Sequence, residues 1–94
     1  MVNEPAYVRQ KLVTGLSKLN AHGGSLAKRV RDAWEEISIL DADDFTDAKA
    51  RADFQNVEAT RELYVIETQT VNLPPERLRD VSARIKRMHD AIVR

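Results

Sequence analysis

The stretch DDFTD, from Asp43 to Asp47, has the form DDxxD. Carboxylates at that spacing can hold magnesium against a diphosphate, since hard cations take oxygen ligands. The chemistry also needs a large helical barrel with a second acidic cluster facing the first, and 94 residues cannot build one. The same letters read more simply as an acidic loop between helices. Asp44 or Thr46 would be its N-cap, with Asp47 three residues after Asp44 in a capping-box-like position. The loop fails as an EF-hand: Asp41 and Asp43 fit the first and third positions, but Phe45, Thr46 and Ala52 stand where an acid, the glycine and the glutamate belong.

Other candidate chemistry is equally sparse. Glu58 and Glu62 lie one helical turn apart and could act as acid and base, although such a pair is more often a solvated acidic face. His22 and His89 are the only histidines, and neither has a Glu or a second His at the spacing of a helical metal site. There is no HExxH, Walker loop or nucleophile elbow, and GGS lacks the lysine of a phosphate loop. The sequence therefore predicts no enzyme: no catalytic residue, no metal, no cofactor and no small-molecule substrate.

The segment with the strongest binding character is LPPERLRDVSARIKRMHDAIVR, Leu73 to Arg94. It carries Arg77, Arg79, Arg84, Lys86, Arg87, His89 and Arg94, and a basic helix is a standard way to neutralise phosphates. Asp80 and Asp90 precede Arg84 and Arg94 by four residues, so part of that charge is taken up inside the helix. A helix-turn-helix would use NAHGGS as its turn and Lys28, Arg29 and Arg31 to read bases, but Val30, Ala33 and Ile37 on the same helix read as buried. A membrane-surface helix is disfavoured because the segment lacks bulky aromatic residues and acids interrupt its polar face.

Composition sets the frame for these residues. The chain is 43% hydrophobic but only 5% aromatic, so its core must be mainly aliphatic and thin, which favours self-association. The absence of cysteine, of a signal-like apolar block and of any long apolar run predicts a soluble cytoplasmic protein. The net charge of zero hides a segregation. Residues 1–31 carry six basic and one acidic side chain, residues 32–67 three and eleven, and residues 68–94 six and three. Such blocks favour folding the ends onto the middle, or pairing two chains end to middle.

The elements follow from spacing. A first helix is predicted from about Pro5 to Ala21 with Val8, Leu12, Leu16 and Leu19 on one face; Gly15 there implies either a close neighbour or a weak helix. Gly23, Gly24 and Ser25 supply a stop and a restart. The second helix, Ser25 to Leu40, repeats Leu26, Val30, Ala33, Ile37 and Leu40 as a heptad-like seam that Trp34 widens. A third is predicted from near Phe45 through Ala48, Ala52, Phe54, Val57 and Arg61 towards Tyr64, with a strand competing over Leu63 to Leu73. The fourth starts at Pro75, with Leu73 stapling onto Leu78, and repeats Leu78, Val81, Ile85, Met88 and Ile92.

These features predict one all-α domain over residues 1–94: a small antiparallel bundle of about four helices, with dimerisation as a second way to close it. The expected function is a non-enzymatic protein–protein interaction module, a small regulator or adaptor that forms a homodimer and binds a further, unknown protein. The interface residues would be the seams, Leu26, Val30, Trp34, Ile37 and Leu40 against Leu78, Val81, Ile85, Met88 and Ile92. Glu36, with Asp41 and Asp43 on the shoulders of the second seam, would pair, within one chain or between two, with the flanking cations Arg77, Arg79, Arg84, Lys86 and Arg87, above all Glu36 with Arg84. The alternative is a nucleic-acid-binding regulator using those same cations on the fourth helix.

Overall fold

A computed structural model describes residues 3–60 and 73–93 of the chain. Four helices, and no strand among the described residues, make an all-α bundle: α1 (Pro5–Leu19), α2 (Leu26–Ile37), α3 (Ala48–Glu58) and α4 (Pro75–Ile92). The third helix ends at Glu58, where the Ala59 amide donates to the Gln55 carbonyl at 3.1 Å, and so does not run on through Thr60 towards Tyr64 as expected. Arg61, Glu62, Tyr64 and the strand alternative over Leu63 to Leu73, short of Leu73 itself, lie outside the described residues. None of the described helices is long and apolar enough to cross a membrane.

The helix ends have local reasons, and four of them differ from the sequence reading. Pro5 opens α1, since its missing N–H would have no helical partner there. The helix stops at Leu19, short of Ala21, where Arg29 Nη1 donates to the Leu19 carbonyl at 3.0 Å and satisfies an end that the next turn would otherwise have filled. Gly23 and Gly24, both at positive φ, turn the chain. Ser25 Oγ then accepts from the Lys28 amide at 3.2 Å, the cap expected of it.

The second helix ends at Ile37, three residues before the predicted Leu40. Beyond it the Asp41 amide donates to Asp44 Oδ2 at 2.8 Å, drawing the chain into a single 3-10 turn, Ala42–Asp44. The third helix consequently starts at Ala48 instead of Phe45. Its cap is Asp47, whose Oδ2 accepts from the Ala50 amide at 2.9 Å, so neither Asp44 nor Thr46 serves. Phe45, outside the helix, is fully buried.

Packing joins neighbours along the chain. The main helix contacts are α1 with α2 and α3 with α4, followed by α1 with α4; α2 touches α4 least of these pairs. Gly15 decides the first contact. A methyl group there would stand 2.7 Å from Ile37 Cδ1 and 3.3 Å from the Ala33 carbonyl oxygen, so the glycine marks a close approach. An aromatic cluster joins the halves: the Phe54 ring centroid lies 5.4 Å from that of Trp34 and 5.1 Å from that of Phe45, spacing at which tilted rings attract. Around it Val8, Leu12, Leu19, Val30, Ile37, Val57, Val81, Ile85 and Met88 complete an aliphatic core.

Gly15→Ala adds about 1 kcal/mol of helix propensity but forces Ile37 from its seat, and overpacking of this kind costs roughly 1–3 kcal/mol. The expected result in urea denaturation is a lowered midpoint for Gly15→Ala, and a smaller loss from the same change in an Ile37→Ala background. A raised midpoint for the single variant would mean that the helices do not approach closely at residue 15.

Candidate interaction surface

The seam residues point inward. Val30, Trp34, Ile37 and Leu40 of the second seam and Leu78, Val81, Ile85 and Met88 of the fourth are buried within one chain, while Leu26 and Ile92 are half-buried against the same core. The fold therefore brings both sets together in a common interior. They meet mostly across α1 and α3 and little against one another.

Within the chain, Glu36 and Arg84 do not pair. Glu36 instead accepts from Lys18 Nζ at 2.7 Å and Lys11 Nζ at 3.2 Å, both on α1, because the close approach at Gly15 carries that helix over α2. The Lys18 and then the Lys11 hydrogen bonds hold the Glu36 carboxyl below its ordinary 4.5, against the opposing effect of burial.

Arg84 faces α3, where Asp53 is only 5% exposed. Its Nη1 donates to Asp53 Oδ1 at 2.8 Å, and Arg87 closes a two-pronged contact on the same carboxylate, Nε to Oδ2 at 3.1 Å and Nη2 to Oδ1 at 3.0 Å. Arg84 Nε also donates to Asp80 Oδ2 at 3.0 Å, and Arg77 Nη1 reaches the same oxygen at 2.7 Å. The Arg84 hydrogen bond holds Asp80 below its ordinary 3.8. Arg77 Nη2 goes on to Thr60 Oγ1 at 2.8 Å and Asn56 Oδ1 at 3.2 Å, binding the end of α3 to the start of α4.

Of the five cations singled out on α4, Arg77, Arg84 and Arg87 are thus held by partners in the same chain, although Arg87 stays 55% exposed. Arg79 and Lys86 are exposed and make no ion pair among the described residues. Opposite in charge is the corner after α2. Glu35, Asp41 and Asp43 are exposed there, and Ile39 between them is 55% exposed. Asp44, in the middle of DDFTD, is buried and accepts from the Asn3 amide at 2.6 Å and from Asn3 Nδ2 at 2.8 Å as well as from Asp41. Burial pushes the Asp44 carboxyl up, but the Asp41 amide and both Asn3 groups outweigh it and keep the group below its ordinary 3.8. This acid is a structural clasp, as the loop reading of DDFTD implies.

His22 is exposed in the link after α1, and His89 is half-buried with Nδ1 3.1 Å from Asp90 Oδ1. Among the described residues no three His, Asp or Glu side chains are placed to share a metal ion. A cleft of about 530 Å³ lies between the first turns of α3 and the end of α4, lined by Asp47, Lys49, Asp53, Arg87 and Asp90 together with alanines.

Two measurements test this geometry. Asp53→Asn removes the carboxylate that Arg84 and Arg87 share, and since Arg84 keeps Asp80 and Arg87 is 55% exposed, the cost should fall between about 1 kcal/mol for an exposed pair and about 3 kcal/mol for a buried one; Arg79→Ala, on the exposed face, should leave the urea midpoint in place. Equal effects would show that Asp53 is not buried against α4. For acid, the signs of Asp44, Asp80 and Glu36 agree. Their folded pKa values are depressed, so their stabilisation is full above the ordinary 3.8 and 4.5 and is lost as pH falls through the folded values. The thermal midpoint should drop below about pH 4, less steeply in Asp44→Asn; an identical slope in that variant would exclude the clasp. No protein-family model, no curated protein and no solved structure matches the chain.

Proposed function

We propose that the chain is a non-enzymatic protein–protein interaction module, a small cytoplasmic regulator or adaptor, whose outer charges meet the partner while its seams hold the bundle. The observation that supports this reading is a separation of exposed charge on two faces: Glu35, Asp41 and Asp43 stand around the exposed Ile39, whereas Arg79 and Lys86, which make no ion pair among the described residues, stand one heptad apart on α4. A second copy of the chain is chemically suited to that pattern. In a two-fold pair the acidic corner of each copy meets the basic row of the other, so every contact is made twice. Exposed charge pairs contribute at most about 1 kcal/mol each, which makes this association weak and salt-sensitive, with Ile39 supplying apolar contact.

Association through the seams takes another form. Val30, Ile37, Val81 and Ile85 expose no surface, so two copies would have to exchange α4. Light scattering after size exclusion separates the possibilities. The outer-charge reading expects a dimer that dissociates with dilution or added salt, is lost in Lys86→Glu, and returns when Asp43→Lys is added. A dimer insensitive to salt and to Lys86→Glu would favour exchange, and a monomer under every condition would overturn self-association.

The exposed pair Arg79 and Lys86 also favours a second reading, binding to nucleic acid. Two phosphate contacts give a salt slope of about −2, far below that of proteins neutralising six to ten phosphates. On this reading a duplex titration shows that slope, and Arg79→Ala with Lys86→Ala removes it; no salt-dependent binding would exclude it.

A further inference from the structure

We draw no further inference here: the strongest candidate, the cleft between the first turns of α3 and the end of α4, combines a helix N-terminus with the acids Asp47, Asp53 and Asp90, of which the buried Asp53 is already held by Arg84 and Arg87, and no second feature points to a ligand there.

Discussion

A carboxylate in a protein interior is tolerable only when cations and hydrogen bonds replace the water it has lost, and Asp53 places that demand at the centre of the α3–α4 contact. Two arginines of α4 meet it, Arg84 at a single oxygen and Arg87 at both. Because a helix is rigid, this choice sets the rotation of α4. Leu78, Val81, Ile85 and Met88 turn to the core, and Arg79 and Lys86 are left on the outside. Such a network is weak evidence for stability, since a well-packed apolar contact can do as well, but it specifies orientation strongly. Asp80 and Arg77 extend it along the helix to Thr60 and Asn56.

The other half of the bundle uses shape where this half uses charge. Gly15 has no side chain to keep Ile37 away, and the resulting proximity lets Lys11 and Lys18 converge on Glu36. Trp34, Phe54 and Phe45 then join the halves through tilted ring contacts. Asp44 performs a similar task with polar atoms, fastening Asn3 at the start of α1 to the corner that follows α2. Each device relates segments distant in sequence. Together they account for a bundle whose longest helix contacts run between chain neighbours.

For interaction, the consequence lies in what these internal pairings consume. The charge blocks of the sequence suggest ends folding onto the middle, and the ion pairs from α1 and α4 to Glu36 and Asp53 have that form. What they leave outside is a smaller set of charges than a count along α4 implies. A reading built on all its cations overstates the basic surface, because three of them face carboxylates or polar groups within the fold.

Helix class, the approximate places of four helices, the inward faces of α1, α2 and α4 and the cap at Ser25 were legible in the sequence, because period and capping chemistry act over one or two turns; on α3 the expected small contacts Ala48 and Ala52 are exposed and Ala50 lies in the core instead. Asp53 carried a signal that the charge count passed over: it stands three residues from Ala50 and four from Val57, on the buried side of its helix. The ends at Leu19, Ile37 and Ala48 were less legible, since each depends on which of several polar groups reaches an exposed backbone atom first. Partner choice was not legible at all. The shoulders of α2 and α4 have matching charge, yet Glu36 turned to α1 and Arg84 to α3, because complementarity along two helices says which pairs are allowed, while only the packed tertiary structure decides which of the allowed partners lies within reach.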